Sequence, residues 1–226
     1  MAEFLKQELI WTRKPERVFM DETKVEIITE CGTDLWQRTY YGFQNDNAPV
    51  LQTKTADTYF SFTVRTRFES KHRFDQCGVA VYLDSENWLK ASVEYENEEY
   101  QRLGSVATNH GYSDWATMDI PASVKEMWYR LSRRESDFCI ECSTDGVNFK
   151  QMRICHMWEG ALAFMRAARK ILLLKPPLQK WKLQNVNGKH INKKTDADLE
   201  GKLSEPPLNA CLFIRQNDIL MTYKSF

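Results

Sequence analysis

Between residues 58 and 156 the chain alternates apolar and polar side chains with a period of two, and this constrains its fold more than any other feature. In "TYFSFTVRTRF" (58–68), Phe60, Phe62 and Val64 fall on one side and Ser61, Thr63 and Arg65 on the other. "CGVAVYLD" (77–84) runs into a polar turn at Asp84–Asn87. "WLKASVEY" (88–95) then sets Leu89, Ala91, Val93 and Tyr95 against Trp88, Lys90, Ser92 and Glu94. "KVEIIT" (24–29) alternates in the same way. "WYRLSRRES" (128–136) and "DFCIECSTDG" (137–146) predict a further hairpin series, with Asp145-Gly146 as a turn signal. Many short strands, no internal repeat and no long helical period before residue 160 predict an all-β fold, an antiparallel sandwich.

At 226 residues the chain is long enough to bury a substantial core. Its formal net charge is zero, so no polyanionic partner is implied for the whole molecule. The zero conceals an asymmetry. Residues 161–226 hold 12 Lys/Arg against 5 Asp/Glu, a net of +7, which leaves residues 1–160 at −7. The amino-terminal "MAEFLKQELIW" is charged at Glu3, Lys6 and Glu8, unlike a secretory leader, and the apolar run Ile171–Leu174 is too short to span a bilayer. The six cysteines show no disulfide-scaffold spacing, and Cys139 and Cys142 on a strand would face opposite sides. A reducing, cytoplasmic setting is the expectation.

After Gly160 the pattern changes. "ALAFMRAARKILLLK" has a helix-forming composition that Pro176-Pro177 ends, residues 185–207 are polar and loop-like, and "ACLFIRQNDILMTY" shows no period that ties it to the sandwich.

Several segments together carry a family resemblance: "TDLWQRTYYGFQNDNAP" (33–49), "FDQCGVAVYLDSENWLKASVEYENE" (74–98), "SVATNHGYSDWATMDIP" (105–121), "WYRLSRRESDFCIECSTDG" (128–146) and "HMWEG" (156–160). They resemble a domain family of unknown function that includes a yeast "regulation of enolase" protein. The resemblance covers about residues 9–160 and implies a two-sheet jelly roll of the concanavalin A-like lectin and glucanase type. Relatives also serve as accessory sandwiches at the carboxyl end of some xylosidases, which implies a carbohydrate-facing role. The family's closing strand pattern is missing here. Read in a shifted frame, residues 162–189 permit a segment similar to it. The expected organisation is a sandwich over 1–160 and a basic, atypical tail over 161–226, poorly ordered or helical. The tail is either the product of a frameshift or a genuine extension.

Candidate ligand-binding residues lie on the face opposite the core. Trp88, Lys90 and Glu94 share that face of one strand, and Trp36 and Arg38 show the same spacing. Aromatic rings beside charged hydrogen-bonding groups suit a sugar, whose apolar face stacks while its hydroxyls bond. The alternative is that Trp36 and Trp88 fill the sandwich. In "NHGYSDWATMDIP" (109–121), Asn109, His110 and Gly111 predict a turn, and Asp114 and Trp115 either stand at the groove mouth or anchor the loop. Glu94, Glu96 and Glu99 offer a hydrolase pair only loosely. His72, His110, His156 and His190 lack metal-ligand spacing, and no P-loop, dinucleotide or nucleophile-elbow motif occurs. The expectation is a non-catalytic cytoplasmic module with no cofactor and no metal. Its ligand is a glycan or small polyol; the alternatives are a regulatory contact with a metabolic enzyme, or a glycoside hydrolase. Neither nucleic acid nor a membrane is an expected partner.

Overall fold

The computed structural model describes residues 4–55, 57–157, 208–215 and 219–222. After a 3-10 turn (Phe4–Lys6) come β1 (Leu9–Trp11), β2 (Arg17–Met20), β3 (Val25–Ile28), β4 (Leu35–Gln37) and β5 (Gln44–Asp46). β6 (Val50–Thr55), β7 (Tyr59–Arg67), β8 (Gln76–Asp84), β9 (Asn87–Tyr95), β10 (Tyr100–Asn109) and β11 (Tyr112–Pro121) follow. The last are β12 (Glu126–Arg134), β13 (Asp137–Ser143), β14 (Lys150–His156), β15 (Leu208–Arg215) and β16 (Ile219–Thr222).

These strands build the antiparallel sandwich that the alternation predicts. One seven-stranded sheet runs β1-β6-β15-β8-β9-β10-β11, and the other runs β14-β13-β12-β7-β16-β3-β2. Phe60, Phe62 and Val64 of β7 meet Val79, Leu89, Ala91 and Val93 of the facing sheet in the main core, with Tyr129, Leu131, Phe138 and Ile140. Burying each large apolar side chain contributes about 1.5–3 kcal/mol, so this layer is the main source of stability.

The first sheet carries a second apolar layer on its outer face. The β4–β5 hairpin folds over that face, and Leu35 and Trp36 pack on Ala80, Tyr82, Trp88 and Val106. The outer faces of β8 and β9 are therefore also covered over much of their length, and the burial patterns of these two strands do not alternate.

Residues 208–215 and 219–222 occupy interior positions. β15 lies between β6 and β8, and β16 pairs with β7 and β3. Nothing in the local pattern of "ACLFIRQNDILMTY" pointed to either pairing; backbone pairing with distant strands supplies it. The division at residue 160 and the shifted-frame segment 162–189 lie outside the described residues.

Candidate functional site

Three side-chain rows cross the outer face of β8, β9 and β10. Register places Ala80, Lys90 and Val106 in one row, Gly78, Ser92 and Gly104 in the next, and Gln76, Glu94 and Arg102 in the third. The middle row carries two glycines and a serine, so the sheet surface is low there, between two taller walls. The β4–β5 hairpin roofs one side and the loop at Arg73-Phe74 closes the other, leaving a groove of about 350 Å³.

The hairpin wall is aromatic. Trp36 stands edge-on to Trp115, centroids 6.1 Å apart, and lies 5.5 Å from Tyr41, which stacks on Phe43 at 5.7 Å. Trp36 Nε1 donates to Thr39 O (3.2 Å), so its polar edge is satisfied inside the hairpin. Trp115 reaches from β11 across β10: a Cβ on Gly104 would stand 2.7 Å from its Nε1. Glycine inside a strand here marks a close approach, and the partly exposed indole becomes part of the groove wall.

The polar groups below are held in place. The buried Lys90 ammonium reaches Asp34 Oδ1 (3.3 Å) and Gln76 Oε1 (3.2 Å), and Ser92 Oγ donates to the same Gln76 oxygen (3.3 Å). On the far wall Glu96, whose side chain is 3% exposed, joins Arg73 (2.9 Å) and Arg102 (3.1 Å). The Arg102 guanidinium lies 5.6 Å from the Trp115 ring and that of Arg73 4.5 Å from Phe74. The groove lining thus presents three cations (Arg73, Lys90, Arg102) and two carboxylates (Asp34, Glu94), and the adjoining Glu96 carboxylate pairs with both arginines.

Of the nine residues singled out from the sequence, Trp36, Lys90, Glu94 and Trp115 line the groove. Trp88 does not. It is 0% exposed beneath the hairpin, in the second apolar layer, and cannot stack on a ligand. Arg38 leaves the hairpin at φ 53° and points away, donating to Gly111 O (2.8 Å) and pairing with Glu86 (2.8 Å). Its work is to pin β4–β5 to two neighbouring turns. Asn109 donates to His156 O (3.2 Å), and His110 N–H donates to Asn87 Oδ1 (3.2 Å). With Gly111, His110 forms the tight β10–β11 turn, both residues at positive φ as a type I′ turn requires. Asp114 points to the opposite face from Trp115 and meets Arg153 of β14 (2.7 Å).

The sequence reasoning missed Asp34, Tyr41, Phe43, Arg73, Phe74, Gln76, Arg102 and Gly104 as wall or floor residues. A glycine interrupting "QRLGSVATN" was the one local signal available. Among the described residues, no group of His, Cys, Asp and Glu is placed to hold a metal, and no helix is long and apolar enough to cross a membrane.

Comparison with known proteins adds the family. The family described as "Protein of unknown function (DUF1349)" matches residues 11–167. The chain belongs to this family. "Regulation of enolase protein 1" of Saccharomyces cerevisiae is 33% identical over 144 residues, covering 64% of this chain and 71% of that protein. A crystal structure described as a functionally unknown protein from Saccharomyces cerevisiae superposes with a TM-score of 0.68 at 23% identity, over 96% of this chain and 93% of that one. A xylan beta-1,4-xylosidase from Bacillus halodurans C-125 gives a TM-score of 0.58 at 8% identity over 93% of this chain. The chain corresponds to 35% of that enzyme's length, so the likeness is one of fold alone.

Proposed function

We propose that this member of the family is a non-catalytic binding module whose outer-face groove takes a neutral carbohydrate. The observation that carries the reading is the Trp115 indole, laid over Gly104 and facing a floor of fixed hydrogen-bonding groups, Lys90, Gln76 and Ser92. An aromatic face beside pre-placed donors and acceptors meets both needs of a sugar ring at once. Each cation of the groove already has a carboxylate partner, Lys90 with Asp34 and both arginines with Glu96, which favours a ligand that brings no charge of its own. A binding role fits better than hydrolysis because Glu96, the natural partner for Glu94 in a carboxylate pair, is engaged by two arginines.

The test is a titration with neutral mono- and oligosaccharides, followed by tryptophan fluorescence. Binding is expected to change the emission saturably in the wild type, with the response lost in Trp115→Ala. A flat titration across both sugar classes would refute the reading.

A second reading rests on the tip of the hairpin that walls the groove. Tyr40 is 94% exposed at the hairpin tip, its ring 5.2 Å from that of the exposed Tyr41. A relative named for regulation of enolase makes contact with a metabolic enzyme the natural alternative for that tip. Co-purification of such an enzyme, lost with Tyr40→Ser, would favour it.

A further inference from the structure

Phe74 carries a conformation that its residue type does not favour. Its φ is 73°, in the left-handed region where a bulky side chain is strained, yet the residue is 36% exposed and lines the groove wall. The loop around it is built to hold that shape. The buried Asp75 carboxylate accepts from the backbone N–H groups of Lys71 (2.8 Å) and His72 (2.9 Å), and Phe74 N–H donates to Tyr95 O (2.7 Å). Strain maintained by so many constraints presents the ring to the groove rather than to the core.

Phe74 precedes β8 and its N–H pairs with Tyr95 O at the end of β9, whereas the Trp115 indole lies over Gly104 of β10, which is opposite Ser92. Two strand spacings separate β8 from β10, roughly 10 Å. One sugar ring is about as wide as a single spacing and cannot rest on both aromatic faces.

We infer that the ligand is a linear neutral oligosaccharide laid across β10, β9 and β8, with one ring on Trp115 and another on Phe74. This rests on the carbohydrate reading and narrows it: a free monosaccharide or small polyol fills only part of the site.

The test is calorimetric titration with two neutral ladders, glucose to cellotetraose and xylose to xylotetraose, on the wild type and on Phe74→Asn. In at least one ladder the trisaccharide is expected to bind about tenfold more tightly than the monosaccharide, the gain from a second stacking contact. In Phe74→Asn that ratio should fall toward one. Asparagine adopts a left-handed backbone readily, so the variant should melt no lower than the wild type, which separates a lost platform from a lost fold. Equal affinity for one and three units, or a ratio unchanged in Phe74→Asn, overturns the inference while the carbohydrate reading stands. No binding at any length in either ladder overturns both.

Discussion

Trp115 and Gly104 form one unit: a Cβ on the glycine would sit 2.7 Å from the indole nitrogen, so the ring lies against the β10 backbone where any other residue would displace it. Gly104→Ala should therefore shift tryptophan emission and weaken sugar binding at a modest stability cost of about 1–3 kcal/mol, because the obstructing group is a side chain that can move. Gly78 in the same row gives the opposite result. There a Cβ would meet the Ala91 carbonyl oxygen at 1.8 Å, and backbone in a paired strand cannot yield. Gly78→Ala is expected to be insoluble or to melt far lower; equal behaviour of the two variants in thermal melts would contradict this account of the floor.

Asp34 is the carboxylate beside the buried Lys90 ammonium. Asp34→Ala should cost about 3 kcal/mol, since a buried charge that loses its ion partner is expensive, whereas Lys90→Met should cost less because it removes the charge itself. Urea denaturation of the two variants checks the order, and the reverse order would count against a buried pair.

Alkaline pH should destabilise the fold. Burial pushes the Cys77 thiol from 9.0 up to about 12, the Cys155 thiol up to about 11, and the Tyr82 phenol from 10.0 up to about 12. The folded chain holds these protons more tightly than the unfolded one. The stability they contribute is complete below about pH 9 and is lost as pH rises toward 12. The urea midpoint should accordingly be lower at pH 10.5 than at pH 8. At the acid end Asp145 works in the opposite sense. The backbone N–H of Asn148, its side-chain amide, and Ser143 hold the Asp145 carboxyl below its ordinary 3.8, so its contribution fades as pH falls below that value.

β15 and β16 pair with strands on both sides, so ending the chain at residue 207 should strip hydrogen-bonding partners from β6, β8, β7 and β3. Such a chain is expected to aggregate. A soluble, cooperatively melting product would show that 208–222 add little to the sheets.

The fold was legible because Phe60, Phe62 and Val64, and then Leu89, Ala91 and Val93, keep strict alternation, which leaves little freedom about which face is inside. The same parity showed that Lys90, Ser92 and Glu94 share a face. It also carried the information that Asp114 and Trp115 must part company. Parity does not reveal what covers a face, however. Trp88 looks identical to Lys90 in the pattern, and only the β4–β5 hairpin, folded back from some fifty residues earlier, makes one a buried plug and leaves the other on the groove. Phe74 gave no signal, because its role depends on a left-handed backbone imposed by Asp75 and by pairing with Tyr95.

Carbohydrate binding in this groove is decided by the tryptophan indole N–H signals in an NMR titration with a neutral linear trisaccharide. The Trp115 signal should move and saturate, with a smaller response at Trp36 and little change at Trp128, which lies on the other sheet. An unmoved Trp115, or a response centred on Trp128, would contradict a carbohydrate site in this groove.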